Sequence, residues 1–162
     1  MAVKLSKQTT AKIDEYLTHY PVKQGALLPI LHAVQDELGL ITDEAADWVA
    51  QKTDVSPATV YGVVTFYPMF RVAPTGKYRI KVCATVPCAV CGSRELLAAL
   101  KERLGVDIGG TTADGKFTLG KSECLAACHE APVVLVNKKL YRKVTADRLD
   151  DFFAAVERDN PR

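Results

Sequence analysis

The spacing of apolar residues changes once along this chain, and that change constrains the fold more than any other feature of its 162 residues. Up to about residue 70 the apolar side chains recur every three or four positions, as one face of a helix requires; from Tyr78 they alternate, as a half-buried strand requires. A single uniform architecture cannot carry both periods. An α+β protein is therefore expected, and Ala73-Pro-Thr-Gly76, which interrupts both patterns, marks the boundary. The expected domains are a helical bundle over 1–75 and a layered α/β domain over 76–162.

In the first half, Ile13, Tyr16, Leu17 and Tyr20 predict a helix ending at Pro21. Leu27, Ile30, Leu31, Val34 and Leu38 predict a second, ended by Gly39. Thr42 is placed to cap a third, with Asp43 and Glu44 against its positive end. Ser56-Pro57 opens a fourth, with Val60, Val63, Val64 and Tyr67 inward. In the second half, Tyr78–Val82 reads as a strand, and Ser93 as the cap of a helix with stripe Leu96, Leu97, Leu100 and Leu104, ended by Gly105. Strands are predicted over Lys116–Ser122, Val133–Val136 and Leu140–Val144, the last two joined at Asn137-Lys138-Lys139. Thr145 is placed to cap a final helix with Leu149, Phe152, Phe153 and Val156 inward.

Composition excludes several classes. With 48% hydrophobic and 25% charged residues, disorder and fibrous folds are poor fits. No apolar run approaches the roughly 18 residues of a membrane span, so direct membrane insertion is not expected. The first ten residues lack the layout of a secretory signal, so a cytoplasmic location is expected. Residues 46–67 resemble a helix-turn-helix, but Pro57–Phe70 contains no Lys, Arg, Asn or Gln, and residues 1–75 carry six basic against eight acidic side chains. Reading DNA needs basic or amide groups on the exposed helix face, so no nucleic-acid partner is expected. Gly110–Lys116 imitates a phosphate loop, yet Phe117 stands where the magnesium-binding hydroxyl belongs and a strand follows instead of a helix. No dinucleotide-binding glycine fingerprint occurs, and no catalytic residue is assigned.

All five cysteines, 83, 88, 91, 124 and 128, fall in the second half. In a chain read as intracellular, such clustering points to metal ligation or redox chemistry before structural disulfides. Three chemistries fit the spacing. Cys88-Ala-Val-Cys91 between a strand and a helix has the layout of a dithiol redox pair. Four of the five could hold zinc. An iron-sulfur cluster could use Cys83, Cys88, Cys124 and Cys128, or Cys83, Cys88 and Cys91 with one distal cysteine. The dithiol reading leaves three cysteines without a purpose, and only one pair has the short zinc-knuckle spacing. Small and apolar neighbours (Ala84, Val86, Ala89; Leu125, Ala126, Ala127) leave backbone N–H groups free for sulfur, which ranks the iron-sulfur reading first. Spacing alone leaves all three open.

Cys83-x4-Cys88 with Gly92-Ser93 behind it, Glu123-Cys-Leu-Ala-Ala-Cys128 followed by Ala131-Pro132 and Val136-Asn137, and Gly62-Val-Val-Thr-Phe-Tyr-Pro-Met-Phe70 together resemble the NuoE family. Its members are the small thioredoxin-like 2Fe-2S subunits of NADH:quinone oxidoreductase, similar also to small diaphorase subunits of NAD-linked hydrogenases and formate dehydrogenases. The resemblance runs from about Pro21 to Asp151. It implies a helical amino-terminal domain followed by a thioredoxin-like α/β ferredoxin domain; the run Phe66-Tyr-Pro-Met-Phe70, hard to bury in so small a bundle, makes the amino-terminal bundle the expected docking element. It implies one 2Fe-2S cluster per chain on Cys83, Cys88, Cys124 and Cys128, leaving Cys91 free. It further implies FMN and NADH on a partner subunit and single-electron exchange with that flavin. A larger iron-sulfur subunit is a further candidate neighbour, with attachment to the inner membrane only through the complex. A stand-alone thioredoxin-like ferredoxin or dithiol reductase is the rival. Ala126 departs from the resemblance: relatives commonly have glycine there, which matters if that backbone needs a positive φ.

Overall fold

The computed structural model describes residues 3–160, so the outermost residues of both expected domains, 1–2 and 161–162, lie outside the described residues. The chain divides into two compact units, Met1–Pro74 and Thr75–Arg162.

The first unit is built from α1 (Lys7–Thr18), α2 (Leu27–Leu38), α3 (Asp43–Thr53) and α4 (Pro57–Phe66), with a 3₁₀ turn at Lys23–Ala26 between α1 and α2. The stop and start signals at Thr42, Ser56 and Gly39 act as stated, but α1 ends at Thr18, short of Pro21, and leaves Tyr20 outside the helix and exposed. Thr42 and Ser56 accept from the N–H groups of Ala45 and Thr59, both at 3.2 Å, and Gly39 ends α2 in the left-handed region at φ 85°. Ile13, Ile30, Leu31, Val34, Val49 and Val60 are fully buried together, each worth roughly 1.5–3 kcal/mol of removed apolar surface. Val63 and Tyr67 lie only at the margin of this core. One buried amide ties the unit's end to its middle: Gln35 donates through Nε2 to the Met69 carbonyl at 3.1 Å and accepts through Oε1 from the Arg71 N–H at 2.6 Å.

The second unit runs β1 (Tyr78–Cys83), α5 (Val86–Val90), α6 (Ser93–Leu104), β2 (Phe117–Ser122), β3 (Val134–Val136), β4 (Lys139–Tyr141) and α7 (Leu149–Asp159). The sheet order is β2-β1-β3-β4; β1 and β2 are parallel and the other pairs antiparallel. The parallel pair demands a crossover, which α6 supplies. Ile80, Leu119, Val136 and Val134 share one face of the sheet by register, and Leu96 and Leu100 of α6 with Phe152 and Val156 of α7 bury it. The chain enters the unit so close to β2 that a Cβ on Gly76 would lie 2.8 Å from the Phe117 carbonyl carbon. Asn137, at φ 54°, turns β3 into β4 and extends the ladder with its side chain, accepting from the Arg79 N–H and donating to the Lys77 carbonyl, each at 3.1 Å.

Four local expectations are corrected. Gly92, at φ 97°, and not Ser93, precedes α6; Ser93 is buried as its first residue. Thr145 opens a 3₁₀ turn over Ala146–Arg148, and α7 starts only at Leu149. The last strand is Lys139–Tyr141, not Leu140–Val144, because Lys143 turns into the left-handed region at φ 51°. The helix Val86–Val90 was not foreseen; five residues are too few for a periodic stripe.

Candidate metal centre

Cys83 is the last residue of β1, and its parallel partner on β2 is Ser122. Neighbouring strands lie about 4.8 Å apart, so the chain leaving β1 toward Cys88 and the chain leaving β2 toward Cys124 start side by side. The junction is closed by backbone bonds from Ala84 N–H to the Ser122 carbonyl at 3.0 Å and from Cys83 N–H to the Val133 carbonyl at 3.1 Å. Thus Cys83 and Cys88 sit on one chain segment, Cys124 and Cys128 on the other, at the carboxyl end of the parallel pair.

The two pairs differ in burial. Cys83 is 1% exposed and Cys88 fully buried, against an apolar floor of Ala127 and Val133 bordered by Leu125, Ala131 and Leu140. Cys124 and Cys128 are exposed. Between them Ala126 adopts φ 55°, the left-handed region, and its N–H donates to Cys124 Sγ at 3.4 Å. This positive φ is the conformation that the expected departure at residue 126 put at issue. Cys128 opens a 3₁₀ turn, Cys128–Glu130, and a cis Ala131–Pro132 bond leads into β3. His129 is exposed, with Nε2 3.7 Å from Glu130, which also pairs with Arg142.

The thiols are electrostatically linked. Burial alone would push Cys83 up, but the hydroxyl and backbone N–H of Thr85, the backbone N–H of Leu125 and the Cys88 thiol together hold it below the ordinary thiol value. Burial pushes Cys88 up, assisted by the charges of Cys83 and Cys128 and opposed by a backbone bond from Val133. Cys88 therefore senses members of both pairs.

This arrangement argues first against the dithiol. A reactive dithiol needs an accessible thiol of depressed pKa at a helix start. Cys88 is inside α5, fully buried and raised, while Cys91 is exposed at the far end of that helix. A zinc site asks for four ligands about a single ion. A two-iron cluster asks for two thiolates at each iron, in pairs. Two cysteine pairs on adjacent segments, with a depressed thiol, an apolar floor and N–H groups aimed at sulfur, fit that donor set. Sequence reasoning located the small residues that free those N–H groups but missed Thr85 and Val133, which approach the sulfurs; Pro87, in the first turn of α5, was the available signal for the helix that aligns Thr85.

Comparison with known proteins agrees. The profile of the thioredoxin-like [2Fe-2S] ferredoxin family matches residues 13–157. The chain is 40% identical over 147 residues to NADH-quinone oxidoreductase subunit 2 of Thermus thermophilus, covering 89% of this chain and 81% of that protein. It is 37% identical over 143 residues to the NADP-reducing hydrogenase subunit HndA of Solidesulfovibrio fructosivorans, covering 88% and 84%. The fold matches that of an NAD+-reducing [NiFe]-hydrogenase chain in its H2-reduced state with a TM-score of 0.72 at 22% identity, over 88% of this chain but only 24% of that chain. With its two cysteine pairs at the end of a β1–β2 parallel junction and this match over most of its length, the chain belongs to the thioredoxin-like [2Fe-2S] ferredoxin family.

Proposed function

We propose that this chain is the small electron-transfer subunit of an NADH-oxidising complex, holding one 2Fe-2S cluster on Cys83, Cys88, Cys124 and Cys128. The observation that carries the reading is the juxtaposition of the two cysteine pairs where β1 and β2 end. The cluster supplies reversible one-electron storage. The residues supply the rest: Cys83 and Cys88 from a buried, low-dielectric floor, Cys124 and Cys128 from a loop open to an approaching partner, and backbone N–H groups that favour negative sulfur. Cys91 takes no part.

FMN and NADH belong on a partner subunit in this reading. Flavin accepts a hydride and releases electrons singly, so a one-electron acceptor beside it can take one while the other moves on. In support, Gly110–Lys116 leads into a strand, with Gly115 at φ 67°, and has no helix start to receive a phosphate. The amino-terminal unit is the docking element. Phe66 is 77% and Met69 45% exposed, both large apolar side chains of the kind enriched at interface cores, and Gln35 fixes the backbone that presents Met69. No helix among the described residues is long and apolar enough to cross a membrane; the chain reaches the inner membrane through its complex, where a larger iron-sulfur subunit is the expected further neighbour. A quinone-reducing complex is the first reading, on the 40% identity to the Thermus subunit. An NAD(P)-linked hydrogenase is the second, favoured by the 37% identity to the hydrogenase subunit; formate dehydrogenase shares the same expected architecture.

Co-expression with the flavin subunit tests the proposal. The chain alone should not oxidise NADH with an artificial acceptor, the pair should, and Phe66→Asp should weaken co-purification. NADH turnover by the flavin-free chain would sink the functional reading; undiminished co-purification of Phe66→Asp would reject the docking role.

A further inference from the structure

Thr85 stands at the N-cap position of α5 with extended backbone, φ −76° and ψ 161°. There a threonine hydroxyl ordinarily accepts a hydrogen bond from an N–H in the first turn. Thr85 makes no such bond. Its hydroxyl instead lies 3.2 Å from Sγ of Cys83. The same sulfur lies 3.3 Å from the carbonyl oxygen of Glu123, which can only accept. A thiol carries one hydrogen. The two contacts coexist only when that hydrogen points to Glu123 and the Thr85 hydroxyl donates to the sulfur. Once Cys83 gives up its proton to become a ligand, the Glu123 contact loses its hydrogen, while the Thr85 hydroxyl remains as a donor.

We infer that Thr85 is a positioning residue for the metal centre, its hydroxyl donating to the Cys83 sulfur and raising the reduction potential of the group held there. The inference rests on the reading of Cys83 as a ligand. Reduction adds negative charge, part of it on the thiolate sulfurs, and a donor to such a sulfur stabilises the reduced form more than the oxidised one. The burial of Cys83 keeps water from replacing the donor when it is removed. The N-cap role would use the lone pairs of this hydroxyl and the donor role its hydrogen; here the oxygen makes no cap bond and the hydroxyl lies against sulfur.

The test is a potentiometric titration, followed by EPR and visible absorbance, of the full chain reconstituted with iron and sulfide. Wild type, Thr85→Ser, Thr85→Val and Thr85→Ala are compared after their iron content is measured. Thr85→Ser, which keeps the donor, should titrate with wild type. Thr85→Val should titrate at lower potential: at the wild-type midpoint its ratio of reduced to oxidised centre should fall about tenfold, equivalent to 59 mV for one electron. Thr85→Ala gives the same comparison with a smaller side chain should valine disturb packing. A residue that merely shapes the loop would change stability and leave the midpoint alone. Equal midpoints for Thr85→Val, Thr85→Ala and wild type at equal iron content overturn the inference. Loss of iron from both donorless variants overturns it too, since the hydroxyl would then hold the loop and not set the potential. Iron retained with an unaltered spectrum in Cys83→Ser would instead remove the ligand assignment beneath it.

Discussion

Replacing Ala126 by glycine should stabilise this protein, against the usual direction of an Ala→Gly change. Ala126 holds φ 55° in an exposed loop between Cys124 and Cys128. An L-residue with a Cβ pays roughly 1–2 kcal/mol in the left-handed region, which glycine does not. Glycine widens the unfolded ensemble, which costs about 0.4–1 kcal/mol. Being exposed, the Ala126 methyl has little burial to lose, and the N–H that donates to Cys124 Sγ is kept. The midpoints of those two ranges favour Ala126→Gly by roughly 0.8 kcal/mol, a rise of about 3–6 °C in Tm for a domain of 60–100 residues. Urea denaturation of the metal-free chain reads it as a higher midpoint at unchanged slope. Ala84→Gly supplies the opposite sign: Ala84 is also exposed, follows β1 and has no positive φ, so only the unfolded-state cost applies. If Ala126→Gly were neutral or destabilising, or if both variants moved together, the claim that φ at 126 is strained would fail.

Two further outcomes follow from the same geometry. Serine at Cys83, Cys88, Cys124 or Cys128 should each lower iron content and the reduced-state EPR signal, whereas Cys91→Ser should leave both at wild-type levels, because Cys91 is exposed at the far end of α5; loss of the signal in Cys91→Ser with Cys124→Ser intact would transfer the fourth ligand. Gln35→Leu should cost about 2–4 kcal/mol by leaving the Met69 carbonyl and Arg71 N–H without their side-chain partner; a denaturation midpoint equal to wild type would show that water replaces the amide.

The signals that act within a few residues were legible before any coordinates. Thr42, Ser56, Gly39 and Gly105 bound their helices as read, and the alternation of Phe117–Ser122 yields a strand within one residue of its expected start. Each of these depends on a backbone group three or four positions away, or on one residue's own φ, and such dependence is written locally. The two cysteine pairs, and the likeness they carry to a known family, were equally local. Elements of three to five residues were not. α5 and the shortened β4 are too brief to display a period, and the turn at Lys143 that follows β4 donates its N–H to the Glu130 carbonyl at 2.9 Å, thirteen residues back in the chain.

What only the tertiary structure decided is which distant groups meet. Cys83 and Ser122 become neighbours because β1 pairs in parallel with β2 across the α6 crossover, a register set by the apolar face formed by Ile80, Leu119 and Val136 and not by any motif near the cysteines. That pairing buries Cys83 and Cys88 while leaving Cys91, Cys124 and Cys128 exposed, a difference invisible in five identical letters. It also brings the Glu123 carbonyl to Cys83, 40 residues away in sequence, on the same sulfur that the Thr85 hydroxyl contacts while making no cap bond. Local sequence selects conformations through short-range sterics and hydrogen bonds; the partners of a side chain across the fold are selected by strand register and core packing, which depend on the whole unit at once.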